Sequence, residues 1–190
     1  MAANLKKLNL GCGKFKKEGY VNLDYKVDLE PEILHDLNKF PYPFPDDHFD
    51  LVEAEHVLEH LRDAFSAMKE LHRILRSGGT LIIKVPHFSR GFTHPEHMHG
   101  FDVSFPYYFN PSFKGGYMAV EFICDKTRLR WFAQAHLKKV TLPLISFYFG
   151  LILGGILDFF ANLSPFACSR LWCFLVGGFE EIEFRFICKK

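Results

Sequence analysis

The sequence predicts an α/β fold built on an open, doubly wound sheet, and three observations carry that prediction. Short runs, mostly apolar or β-branched, recur at 5–10, 20–24, 33–37, 49–54 and 80–85, each bounded by Gly, Pro, Asp or Asn. Between "FDLVEA" and "TLIIKVP" lies "HLRDAFSAMKELHRILRSGG", and a strand, helix and strand of these lengths argue for parallel pairing with a right-handed crossover. The terminal "EIEFRFICKK" sets Ile182, Phe184, Phe186 and Cys188 against Glu181, Glu183 and Arg185, the alternation of a strand with one solvated face.

In order along the chain, the first run ends in the turn Gly11, Cys12, Gly13, and the second ends on Asp24. Asp50 falls at the start of the fourth run, and Glu55 and His56 follow it. In the amphipathic stretch, Leu61, Ala64, Phe65, Met68, Leu71, Ile74 and Leu75 fall on one helical face, and Gly78 and Gly79 stop it. Residues 86–140 are rich in His, Phe, Tyr and Gly and too long for a plain connection, which argues for a functional loop or lid. Residues 142–161 are the most hydrophobic stretch, opened by Pro143, weakened by Gly150, Gly154 and Gly155, and interrupted by Asp158. A helix buried in the domain or in a homodimer ranks first for it, a helix on a membrane surface second, and a membrane span last. The expected organisation is one domain over 1–190, with a core of 5–86 and 179–190 and a substrate-shaping insertion at 87–178.

Bulk properties narrow the function classes. The net charge is +1, from 23 basic and 22 acidic side chains, which leaves no global field to attract nucleic acid. Five cysteines without a CxxC pair suit reduced thiols in a cytosolic setting, and no signal-peptide core precedes the first motif. The expected localisation is cytoplasmic, with membrane association as the alternative that 142–161 raises.

In an open parallel sheet the ligand sits beyond the carboxyl ends of the strands, so the residues just after each strand are the ones to read. Gly11, Cys12 and Gly13 allow backbone N–H groups to approach a ligand, and Asp24 is placed to accept hydrogen bonds from a ribose diol. A dinucleotide fingerprint wants a third glycine sooner and its acid later than Gly19 and Asp24 stand, which disfavours NAD.

With these residues in hand, "LNLGCGKFKKEGYVNLDY", "HDLNKFPYPFPDDHFDLVEAEHVLEHL" and "ELHRILRSGGTLIIKVP" resemble, in the right order over 7–87, the motifs of small class I S-adenosylmethionine-dependent methyltransferases of the type 11 group. The resemblance implies a Rossmann-like sheet with a final antiparallel strand and S-adenosyl-L-methionine as methyl donor. By position, it implies that Gly11 and Gly13 pass beneath the amino-acid and ribose part of the cofactor and that Asp24 holds the ribose hydroxyls. It also implies that Asp36 and Leu37 meet the adenine and that Glu55 and His56 line the pocket. The first motif commonly opens with an acid, where this chain has Asn9, which lacks the charge to pair with the cofactor's amino group. The 13–20 connection is also short for the usual first helix.

Methyl transfer is an in-line displacement, and a hydroxyl acceptor must lose its proton. The loop after the fifth strand carries His87, His94, His97 and His99, and histidine titrates near neutrality. His97 is the first candidate for proton acceptor, because "HPEHMHGFD" resembles a loop in a subset of this family; His87 is the second. The rival reading is a metal held by His94, His97 and His99 with Glu96 between them, although the spacing is no common zinc signature. His60 lies near the pocket mouth, and His72 reads as an ordinary helix residue. Lys14, Lys16 and Lys17 read as a solvated run, and Phe101, Phe105, Tyr107, Tyr108, Phe109, Trp131 and Phe132 as mostly core. The leading expectation is a methyltransferase acting on a small-molecule or lipid-linked acceptor. The alternative is a non-catalytic relative that binds a metal, membrane or protein partner, and Asn9 is the feature favouring it.

Overall fold

The computed structural model describes residues 5–91 and 94–190. Its centre is a seven-stranded sheet of β1 (Lys7–Leu10), β2 (Val21–Asp24), β3 (Ile33–Leu34), β4 (Phe49–Glu55), β5 (Leu75–Pro86), β6 (Glu121–Arg130) and β7 (Glu181–Lys189), in the order β3-β2-β1-β4-β5-β7-β6. The first five strands pair in parallel, and β7 runs antiparallel between β5 and β6. Strand order reverses between β1 and β4, so the ligand-binding crevice of an open sheet falls at their carboxyl ends.

The register explains the core. Leu8 pairs with Val52 and Val52 with Leu81; Leu10 pairs with Ala54, Ala54 with Ile83, and Ile83 with Phe184. All are buried on one face. Helix α1 (Ala64–Ile74) covers that face with Ala64, Ala67, Met68, Leu71 and Ile74, and Asp63 caps it by accepting from the Ser66 N–H. The opposite face carries Asn9, Glu53, Glu55, Ile82, Lys84, Glu183 and Arg185. Residues 11–20 are too short to lay a helix over it, and the polar ladder is crossed instead by the Lys17–Glu55 (2.7 Å) and Lys84–Glu55 (3.0 Å) ion pairs.

Three expectations need correction. Gly78 and Gly79 do not end the helix. They lie within β5, in a bulge between the Phe49–Leu75 and Leu51–Thr80 pairs, where Gly78 takes φ +78° and a Cβ on Gly79 would come within 2.9 Å of the Arg76 carbonyl oxygen. The 87–178 region is not purely an insertion, because it supplies β6. Finally, helix α4 (Leu144–Ala161) is not buried in the domain. Only Phe147, Gly150, Gly154 and Ala161 are covered, and Ile145 is 87% exposed.

The remaining helices are short: α2 (Phe88–Gly91), α3 (Ala135–Thr141) and α5 (Pro165–Ala167). Helix α4 docks against the end of β6. Gly150 and Gly154 lie so close to Phe132 that a Cβ would sit 2.8 and 2.7 Å from its side chain. Asp158 accepts from the Trp131 N–H at 2.6 Å, and Asn162 exchanges hydrogen bonds with the Leu129 backbone at 2.8 and 2.9 Å.

Candidate active site

The glycine turn is folded onto Asp24. Gly11 and Gly13 adopt φ +64° and +51°, and Gly13 N–H donates to Asp24 Oδ2 at 2.8 Å. Asp24 Oδ1 accepts from the N–H groups of Tyr25 (2.8 Å) and Lys26 (3.0 Å). The carboxylate is thereby held at the tip of β2, facing the turn that follows β1. Asp36 is held in the same way, and the hydrogen bond from the Asn38 N–H keeps its carboxyl below the usual range.

These residues meet in one cavity of about 610 Å³, lined by Gly11, Gly13, Asp24, Asp36, Leu37 and His56, among others. A second cavity of about 550 Å³ lies on the other side of the turn against Asn9, Cys12, Lys17, Glu55 and His56, and Gln134 to Leu137 roof it. There the Phe15 ring meets His136 of α3 edge-on at 5.2 Å. A third, of about 510 Å³, is bounded by His56, Glu59, His60, Arg90, His94, His97 and Lys138. His56 borders all three, with φ +54°, and His60 borders the first and the third.

Two predicted residues have other employment. The Asn9 amide donates to Asn22 Oδ1 (2.8 Å) and the Phe15 carbonyl (3.0 Å), stitching β1 to β2 below the turn. His87 lies outside the site. It is completely buried, with Nδ1 against Ser89 Oγ and Nε2 against Ser169 Oγ, both at 2.8 Å, and lines none of these cavities. Cys12 is buried, and burial pushes its thiol pKa up, which suits packing rather than chemistry. His99 bonds the Leu61 carbonyl at 2.8 Å, apart from the group formed by His60, His94 and His97. Sequence reasoning missed Glu59 and Glu181, whose importance comes from what they touch.

Burial opposes the charged form of His56, but hydrogen bonds to Glu181 (2.9 Å) and Glu59 (3.2 Å) outweigh it and raise its pKa to about 9. At neutral pH His56 is thus a fixed cation and cannot act as the proton acceptor. Burial lowers His87 to about 4, so it stays neutral. These shifts have opposite consequences for stability. An unfolded imidazole titrates near about 6.5, so the His56 contribution is complete below that pH and is lost as pH rises through 9, whereas the His87 contribution is complete above it and is lost as pH falls towards 4. Chemical denaturation is expected to show maximal stability near neutrality. His56→Gln should remove an alkaline loss of roughly 2 kcal/mol, a figure discounted for a side chain 25% exposed, and His87→Gln should flatten the acid limb.

Comparison with known proteins supports the same assignment. Residues 21–83, from β2 into β5, match the family model described as a methyltransferase domain. The match spans about a third of the chain. A ubiquinone/menaquinone biosynthesis C-methyltransferase, UbiE of Vibrio vulnificus, is 32% identical over 76 residues, which amount to 40% of this chain and 26% of that protein's length. An S-adenosylmethionine-dependent methyltransferase from Archaeoglobus fulgidus superposes over 96% of this chain and 86% of its own with a TM-score of 0.58 at 14% identity. The [4+2]-cyclase SpnF superposes over 97% of this chain and 74% of its own at 0.54 and 14%. These two likenesses establish the fold alone, and the second shows that the fold also serves other chemistry.

The site fits S-adenosylmethionine, the cofactor that the resemblance to methyltransferases implies. A Cβ on Gly13 would meet nothing within 4 Å, so the turn leaves open space beside Asp24. The chain carries an acid after β2 and an aspartate–leucine pair after β3, both bordering that space.

Proposed function

We propose that this protein transfers the methyl group of S-adenosylmethionine to a small apolar acceptor bearing a ring hydroxyl, taken up at the cytosolic surface of a membrane. The observation that carries this reading is the meeting of two cavities at His56 and His60: one bordered by the glycine turn, Asp24 and Asp36, the other by His94 and His97. When bound, the cofactor supplies an electrophilic methyl group on a sulfonium sulfur. Gly11 and Gly13 would pass their backbone beneath it, Asp24 would accept from its ribose hydroxyls, and Asp36 and Leu37 would meet its adenine. His56, held cationic by two carboxylates, fixes the wall between donor and acceptor. His97 faces the acceptor cavity and is the side chain we set against the acceptor's hydroxyl, within an enclosure that α3 helps to keep dry.

Two observations favour a lipid-soluble acceptor. The UbiE relatives are named for quinone biosynthesis. Helix α4 also presents Ile145, Phe149, Ile152, Ile156 and Phe159 along one exposed stripe, and Leu171, Trp172, Phe174 and Leu175 extend the exposed apolar surface. The helix is long and apolar enough to cross a membrane by length and composition. The hydrogen bonds that tie Asp158 to Trp131, just after β6, and the C-cap residue Asn162 to Leu129 of β6 instead suit a helix lying along the bilayer surface. The five cysteines are unpaired, as the cytosolic side requires.

The test uses methyl-labelled S-adenosylmethionine with a long-chain phenol or quinol in vesicles and with its short-chain soluble analogue. Label is expected in the vesicle-borne acceptor. Ile145→Glu with Ile152→Glu should weaken vesicle binding at least about tenfold while leaving S-adenosylhomocysteine binding intact. Label in neither acceptor would count against the reading. A dimer by sedimentation with no vesicle binding would assign the stripe to a second copy of the chain.

A further inference from the structure

Glu59 is completely buried at the start of the acceptor cavity. Its Oε1 is bonded by His56, while its Oε2 is the one buried side-chain oxygen or nitrogen among the described residues without a hydrogen-bond partner. A native structure seldom leaves a carboxylate oxygen in that condition unless a water, an ion or another ligand meets it. His60 and His97 stand beside it, and one ligating atom from each of the three residues lies within 4.8 Å of the others. The rings of His60 and His97 are 4.9 Å apart, and His94 stacks on His97 at the same separation. His60 Nδ1 lies 3.3 Å from the Glu96 carbonyl oxygen, the outer hydrogen bond that fixes the tautomer of a metal-binding imidazole and leaves Nε2 for an ion.

We propose that Glu59, His60 and His97 bind a divalent cation of the zinc class at the wall of the acceptor cavity. Two imidazoles and a carboxylate make the three-ligand set of an open zinc site, whose fourth position faces a substrate or water. Donor atoms around such an ion lie about 3.4 Å apart, so the half-buried His60 and His97 need only small rotations to close on it. The set shares only His97 with the histidine trio suggested by spacing alone: His99 is engaged elsewhere, and Glu59 and His60 take the places of His94 and His99. The ion's open position would hold the acceptor's oxygen and favour its ionised form, the hydroxyl proton leaving to solvent water as the oxygen binds, so that His97 would act on the hydroxyl as a ligand of the metal and not as its base. That role rests on the methyl-transfer reading; the binding of the ion does not.

The experiment is calorimetric titration of the chelator-treated full chain with zinc, without cofactor, together with visible absorption of the cobalt-substituted protein. One equivalent is expected, with tetrahedral cobalt bands. Glu59→Gln and the His60→Ala/His97→Ala pair should each weaken binding at least about tenfold, while His72→Ala, a histidine remote from the cluster, should leave it unchanged. Circular dichroism and S-adenosylhomocysteine binding report whether the variants fold. Folded variants that bind zinc as the parent does, or a parent that binds no stoichiometric zinc, overturn the site. Stoichiometric zinc that the variants lose, in a protein that binds no cofactor, upholds the site and overturns the methyl-transfer reading.

Discussion

Asp24→Ala is expected to weaken S-adenosylhomocysteine binding by at least about 100-fold, because hydrogen bonds to a charged acceptor contribute about 1.5–3 kcal/mol each and each tenfold in affinity is about 1.4 kcal/mol. The loss has two sources. The variant removes the acceptor for the ribose hydroxyls, and it releases the N–H groups of Gly13, Tyr25 and Lys26 that the carboxylate now organises. Asp24→Asn separates them. Its amide keeps the shape and one acceptor oxygen, so its affinity should fall between the parent and the alanine variant. Calorimetry on all three proteins, with thermal denaturation as the folding control, reads the effect. Equal affinity for parent and alanine variant would remove Asp24 from the site.

Gly11→Ala should destabilise the fold by about 3 kcal/mol, from left-handed backbone strain of about 1–2 kcal/mol and overpacking of about 1–3 kcal/mol. At φ +64° a Cβ would lie 2.5 Å from one Val57 methyl carbon and 3.3 Å from the other. Val57 is buried and, being β-branched, cannot easily turn aside. Gly11→Ala with Val57→Ala removes the collision but keeps the strain, after allowing for the lost valine methyls. The double variant should therefore sit above the sum of the single losses in a double-mutant cycle. A Gly11→Ala variant within about 0.5 kcal/mol of the parent in denaturant titration would show that the turn opens freely, contrary to the close packing of Gly11 on Val57.

The parallel half of the sheet was legible because each strand is a short apolar run with clear stops, and the turn at Gly11 and Gly13 needs the glycines that the sequence supplies there. Strand β6 was not. In "EFICDKTRLR" only Phe122 and Leu129 are buried, and the register shift between Cys124 and Lys126 breaks the alternation that marks a strand. The covered face of helix α4 is hard to read for a different reason. The helix is apolar nearly all round, so no periodicity says which face is covered, and its glycines, which weaken a helix in isolation, are the points where it meets Phe132. In the site, the candidate cofactor residues follow strand ends and can be read one by one. Glu59 could not, because a glutamate in "HVLEHL" looks solvated until β7 brings Glu181 to the far side of His56, 125 residues away along the chain. His87 misled in the same way, since its partner Ser169 is 82 residues distant.

The measurement that most directly tests the account is calorimetric titration of the unmodified protein with S-adenosylmethionine and S-adenosylhomocysteine. Saturable binding of one equivalent of each, with a rise in melting temperature, is the predicted result. Titrations without heat, and no thermal stabilisation by either ligand, would contradict the central claim that the cavity between Gly11, Asp24 and His56 is a cofactor site.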